Sequence, residues 1–379
     1  MASKSVSLEG DSAMTEIEII KRAFKDHLKW NAARIDFLAN FLIALLKVRS
    51  VNLVEIATAF SRKAKKESNY KRLQRFFRSF PVDFSIISKL IAQLFPIKEE
   101  LWTLTMDRTN WKFGKIDINL LLLGIAYKGT SFPLIWIPLP KRGNSNTAER
   151  IELLDRFIRI FGVNKIKCLT ADREFIGQEW FEYLLSKLIL FRIRIRENFL
   201  VTNARGIPVP VKTLFRGLKP GEWQVLKGKR MVLGHELFIV GLRLFNGEYL
   251  LLVTDNDPEL AIKDYAQRWE IETLFGCLKS RGFRFESTHM TNPERISKLL
   301  ALLAIAFCWC HITGEWLHSQ KPIKIKKHGR KAISIFRYGL DQLREILLNI
   351  SNRRRDFKKM VLLLLKHLAS SPYSPMRPT

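Results

Sequence analysis

Cysteine is scarce: four in 379 residues, Cys168, Cys277, Cys308 and Cys310, with no CxxC pair among them. That excludes a disulfide framework and points to a reducing, cytoplasmic setting. Cys308-Trp309-Cys310-His311 has metal-binding atoms, but it follows an apolar stretch and has no second ligand pair, so buried thiols are expected. Acid is also in short supply, with 36 Asp plus Glu against 64 Lys plus Arg, a formal charge of +28. With a pI near 10.1, the chain needs a polyanionic partner, nucleic acid before an anionic membrane. Span-length apolar runs are missing as well. Phe37 to Leu46 and Leu299 to Cys310 are too short to cross a bilayer, and the opening MASKSVSLEGDS has no signal-peptide core.

What is present suffices for a folded protein, since 47% hydrophobic residues can build a sizeable core and more than one domain. Apolar residues at three-or-four spacing predict helices over Thr15 to Trp30, Ala32 to Val48, Val54 to Phe60, Tyr70 to Phe77 and Asp83 to Phe95. Between Ser61 and Arg78 lie Arg62, Lys63, Lys65, Lys66, Lys71, Arg72, Arg75 and Arg78 against Glu67 alone, with Tyr70, Phe76 and Phe77 interleaved. Two short helices with a basic second one suit a helix-turn-helix that grips DNA. A solvated face of a basic protein would look the same.

From Leu101 the pattern turns to strands: Leu101 to Met106, Asn119 to Tyr127 and Phe132 to Pro138. A helix over Thr147 to Phe161 capped by Asn146, a strand over Lys165 to Thr170, a helix over Gln178 to Leu188 and a strand over Leu190 to Arg196 complete a βββαβαβ order. An α/β domain with a mixed sheet follows, whose first and fourth strands end at Asp107 and Asp172. Arg192, Arg194 and Arg196 alternate with apolar residues, which puts three cations on one sheet face that could track DNA. Glycine, proline and alternating apolar residues over 200–253, with a turn at Phe245-Asn246-Gly247-Glu248, predict a β-rich insertion. The expected division is a helical DNA-binding region 1–98, a catalytic part 99–199, the insertion 200–253, a second catalytic part 254–318 and a basic helical region 319–379. Ser370 to Thr379 reads as a disordered tail.

Past the insertion, Tyr265, Arg268, Glu272 and Lys279 fall within about 60° of one another on a helix turning about 100° per residue. Ile271, Leu274, Phe275 and Leu278 occupy a separate apolar arc, so one face packs while the other offers a carboxylate, two cations and a phenol. Glu270 lies about 160° from Glu272 and is excluded from that stripe. Asp107, Asp172 and Glu272 brought together would repel one another unless a cation neutralised them. Oxygen-only ligands favour Mg²⁺ or Mn²⁺, and two such ions about 4 Å apart suit phosphodiester cleavage.

MDRTNW around Asp107, TADREF around Asp172 and YAQRWEIETLFGCLK from Tyr265 to Lys279 resemble the signatures of bacterial insertion-sequence DDE transposases of the YREK group, the insertion-sequence-four type. The resemblance runs from about residue 100 to residue 315 and implies an RNase H-like fold, interrupted by a β-rich insertion before the last catalytic helix. It also implies that Asp107, Asp172 and Glu272 hold two Mg²⁺ ions, and that Tyr265, Arg268 and Lys279 bind DNA phosphates. Such enzymes cut transposon ends at their terminal inverted repeats and join them to target DNA, as a homodimer on double-stranded DNA in the bacterial nucleoid. Relatives stack a displaced base on an aromatic side chain. Tyr249 and Trp269 are the candidates here, although the relatives use Trp where Tyr249 stands. An RNase H-like nuclease without strand transfer, or an inactive DNA-binding descendant, are the alternatives.

Overall fold

The computed structural model describes residues 15–60, 64–95, 101–327 and 329–370. Five helices lead: α1 (Glu16–Lys25), α2 (Ala32–Val48), α3 (Leu53–Phe60), α4 (Lys66–Ser79) and α5 (Phe84–Leu94). Thr15, Asn31 and Asp83 cap α1, α2 and α5, their side-chain oxygens accepting first-turn N–H groups that no helical carbonyl reaches.

The mixed sheet begins as an antiparallel meander of β1 (Trp102–Phe113), β2 (Ile116–Tyr127) and β3 (Thr130–Pro138). α6 (Thr147–Phe161) starts on the Asn146 cap, reinforced by Glu149 as a capping box. β4 (Ile166–Ala171) then runs parallel to β1, and after α7 (Gln178–Ser186), β5 (Phe191–Ile195) runs parallel to β4. One expectation is corrected here: β1 does not end at Asp107. Its hairpin pairing with β2 continues to Phe113↔Ile116, while its parallel pairing with β4 stops at Met106↔Ala171. Asp107 is therefore the first β1 residue beyond its parallel partner, beside Asp172 just past β4. Carboxyl ends of parallel strands open a crevice there.

The 200–253 segment forms β6 (Leu200–Thr202), β7 (Pro208–Pro210), β8 (Trp223–Val225), β9 (Arg230–Val232), β10 (His235–Arg243) and the start of β11 (Tyr249–Thr254). The predicted turn closes the β10–β11 hairpin, Gly247 taking a φ of 88° that side chains resist. β11 pairs with β5, so the main sheet runs β3-β2-β1-β4-β5-β11-β10-β8, with β9 on β10 and β6–β7 apart. This mixed sheet flanked by helices is the RNase H-like α/β fold that the sequence predicts.

α8 (Ala261–Ala266) and α9 (Trp269–Leu278) follow, then α10 (Pro293–Gln320), α11 (Ile335–Leu348) and α12 (Arg354–Ser370). The tail residues 371–379 lie outside the described residues. α10 is long and apolar enough to cross a membrane, but its apolar window is wholly buried in the protein. It is longer than the run read from the sequence because Pro293 and Gln320 extend it in both directions. A Cβ on Gly339 would sit 1.8 Å from the Cys310 carbonyl oxygen, so α11 meets α10 backbone to backbone. One apolar core runs from Ile19 in α1 to Leu368 in α12.

His311 of α10 is buried against the rings of Phe132, Phe307 and Tyr127, and among the described residues neither ring nitrogen has a hydrogen-bond partner, the Glu315 carboxylate standing 4.0 Å from Nε2. Burial holds its pKa down at about 3. In the unfolded chain it takes a proton below about pH 6.5, so stability is lost as pH falls through the window between the two values, by up to about 1.4 kcal/mol per pH unit. His311→Leu is expected to flatten this acid limb in urea unfolding measured from neutrality to pH 4. Equal slopes in the two proteins would refute it.

Candidate active site

Asp107 is half-buried. Its Oδ1 accepts from the Arg108 amide at 2.7 Å and its Oδ2 from Arg268 Nη1 at 3.3 Å. Burial pushes its carboxyl up to about 7, the Arg108 amide and Arg268 opposing, Glu174 and Asp172 adding to the rise. Asp172 closes the turn after β4, accepting from the Arg173 amide at 2.7 Å through Oδ1, while its carbonyl accepts from the Phe175 amide at 2.9 Å.

The expected single late helix is two. Between α8 and α9 the amides of Arg268, Glu270 and Ile271 bond three residues back, to Tyr265, Gln267 and Arg268. This tighter winding breaks the even 100° stripe. The stripe's exposure is corrected with it. Tyr265 is 2% exposed and Arg268 3%, because α8 packs against β10 and β11, with Tyr265 among Val240, Leu252 and Ala261. Burial raises the Tyr265 phenol, countered by Arg268 and Arg194 and reinforced by Asp172 and Asp107, whose charges lie near enough to act on it.

Arg268 is the hub. Besides Asp107 it donates Nη2 to Glu272 Oε1 at 2.5 Å, and its guanidinium lies 4.6 Å from the Trp269 ring centroid. Glu272, at the exposed start of α9, thus reaches Asp107 only through Arg268. Among the described residues, no three His, Cys, Asp or Glu side chains stand close enough together to hold a metal ion. Lys279, at the end of α9, donates to the Asn110 carbonyl at 3.3 Å, pairs with Glu286 at 2.7 Å and lies 5.6 Å over the Trp111 ring. Glu270 points elsewhere, as its helical angle predicts. Its Oε1 accepts from the Gly129 amide at 3.0 Å in the β2–β3 turn.

Arg192 is not a DNA contact. β5 lies inside the sheet, and Arg192, fully buried, donates to Asp264 Oδ2 from Nε at 3.3 Å and from Nη2 at 3.2 Å, and to Thr254 Oγ1 and the Asn256 carbonyl. Alternation put it on a face without saying that the face was covered. Arg194, two residues on, is half-buried and is the cation of this strand that influences Tyr265. Trp269 is 55% exposed. Tyr249, at the start of β11, is half-buried, its ring 5.5 Å from the Arg243 guanidinium. In α4, Lys71 and Arg75 are exposed, whereas Arg72 pairs with Asp36 at 2.8 Å and lies 5.4 Å from the Phe60 ring centroid. Arg62 and Lys63 lie outside the described residues.

Sequence reasoning missed a clamp beside the crevice. Arg108 grips both oxygens of Glu174 at 3.1 Å and also donates to Asn119 and Asn144. Buried Arg150 donates to the Glu174 carbonyl at 2.8 Å. This ties β1, which carries Asp107, to the turn that carries Asp172. The signal was available in the DR of both motifs and the E that follows the second.

A family model described as a transposase DDE domain matches residues 92–309. No curated protein matches the chain. The match spans both aspartates, the β-rich segment, all of α9 and most of α10.

Proposed function

The chain belongs to the DDE transposase family, and from that membership we propose that it moves an insertion sequence by cut-and-paste, as one of the YREK group, with Asp107, Asp172 and Glu272 as its catalytic carboxylates. The observation that carries this reading is that Arg268 bridges Asp107 and Glu272, with Asp107 standing where the parallel pairing of β1 and β4 stops and Asp172 just past the end of β4.

Divalent metal suits the family, and the donor chemistry fits. The candidate ligands are all carboxylates, the charge of Asp107 is disfavoured where it stands, and a cation already bridges Asp107 and Glu272. Mg²⁺ or Mn²⁺, in a pair held by Asp107, Asp172 and Glu272, would supply an activated water and stabilise the leaving oxygen. Arg268 grips a phosphate through its planar fork once DNA competes for it, and Lys279 offers a point charge. Tyr265 acts from beneath, orienting Arg268. Arg194 lines the same crevice.

Hydrolysis at a transposon end frees a 3′-OH, which attacks a phosphate of the second strand or the target, one P–O bond forming as another breaks. Trp269 is the better platform for a displaced base, since its ring is open to solvent and Tyr249's is half covered. The helices of region 1–98, with Arg62, Lys63, Lys71 and Arg75, read the inverted repeats. Two ends must be joined, so a homodimer assembles on the DNA.

The test is incubation with Mg²⁺ and a duplex carrying the inverted repeats that bracket the gene. Nicked ends and joined products are expected on a denaturing gel. Nicks without joining would reduce the activity to a nuclease, and no Mg²⁺-dependent cleavage would overturn the proposal.

A further inference from the structure

A second polar feature lies outside the crevice. A groove of about 280 Å³ runs between α4 and the segment joining α9 to α10. Arg78 of α4 stands on one wall, and His289 and Arg295 on the other. Arg78 and Arg295 are exposed, and among the described residues neither side chain has an ion-pair partner. That is unlike Arg72, Arg108, Arg337 and Arg353, each of which is held by a carboxylate. Even Glu294, next to Arg295 in the chain, turns to Lys298 at 2.7 Å.

β1 leads from the crevice toward the groove, its intervening Thr109 and Trp111 buried. Alternation puts Asp107, Thr109, Trp111 and Phe113 on one face of that strand. Lys279 lies over Trp111, and the His289 ring stacks on exposed Phe113, with centroids 5.2 Å apart and 27° between planes. His289 then borders the groove beside Arg78 and Arg295. Six residues of strand cover about 20 Å, the length of about six base pairs. Exposed cations on both walls, about that far along β1 from Asp107, suit a polymeric anion rather than a small one.

We propose that this groove grips the backbone of double-stranded DNA about six base pairs from the cleaved phosphate, with Arg78 and Arg295 as phosphate contacts from opposite walls. The proposal rests on the transposase reading and names a surface that the catalytic residues do not include.

Fluorescence anisotropy with a labelled random-sequence duplex of about three helical turns, in EDTA, tests it. Arg78→Gln with Arg295→Gln is expected to weaken binding about tenfold and to make the log Kd against log salt slope shallower by about two. Arg78→Lys with Arg295→Lys is expected to restore both, since a phosphate contact needs charge rather than a fork. Both side chains are exposed, and unchanged far-ultraviolet circular dichroism would exclude misfolding. Wild-type affinity and slope in the glutamine pair would overturn the proposal. Wild-type protein that binds but never cleaves with Mg²⁺ would overturn the catalytic reading alone and leave the groove standing.

Discussion

Asp107→Asn is expected to lower Mg²⁺-dependent cleavage by about a thousandfold or more, a loss of about 4 kcal/mol of transition-state stabilisation, while DNA binding in EDTA stays near wild type. Asparagine keeps the shape, and its one oxygen can still accept from the Arg108 amide as Asp107 Oδ1 does, while its amide nitrogen cannot accept from Arg268 as Oδ2 does. What it lacks is the charge that a metal ligand needs. Asp172→Asn and Glu272→Gln are expected to fail in the same way. Glu270→Ala provides the contrast and is expected to cleave within about threefold of wild type, because that carboxylate faces the Gly129 amide and burial already disfavours its charge. Single-turnover cleavage with saturating protein separates chemistry from binding. Full activity in any of the three site variants would remove that residue from the catalytic set.

The second large effect is on stability. Asp264→Ala would strand the fully buried guanidinium of Arg192, which now donates twice to Asp264 Oδ2. Lys167 holds the other oxygen at 2.9 Å. Breaking a buried pair from one side costs about 3 to 5 kcal/mol, whereas replacing both partners with apolar residues of like volume is often close to neutral. Asp264→Ala is therefore expected to lower the melting temperature by several degrees, and Arg192→Met with Asp264→Leu to recover most of the loss. Calorimetry of both variants decides it. If the double variant is as unstable as the single one, the pair is not an isolated charge problem. Asp264 precedes Tyr265 in α8, so this pair also pins the crevice's floor to β5.

The sequence was most legible where chemistry and spacing coincided. The MDRTNW and YAQRWEIETLFGCLK motifs led to Asp107, Arg268 and Glu272, which the structure links, and strand patterning over 101–196 anticipated the first five strands of the sheet. It was least legible where tertiary cover decides exposure. An even helix would put Tyr265 and Arg268 on one face with Glu272, but β10 and β11 close over Tyr265, and no periodicity within the helix reports strands from another segment. Arg192 failed as a DNA contact for the same reason: a period of two names a face without naming its neighbour. The tightened winding after Tyr265 left no mark, since Gln267 and Arg268 are ordinary helix formers. Arg108 and Glu174 were overlooked because each sits beside a more conspicuous aspartate.

The burial of α10 bears on how such a chain can change over time. That helix touches α2, α4 and α5 from the leading helices, β3 from the sheet, and α11 and α12 from the trailing end, all within one continuous apolar core. The segment that carries Arg78 and the segment that carries Glu272 are therefore not interchangeable modules on a string. Swapping the leading helices for unrelated ones would strip apolar cover from α10, so substitutions on the exposed face of α4 are tolerated more readily than exchange of parts.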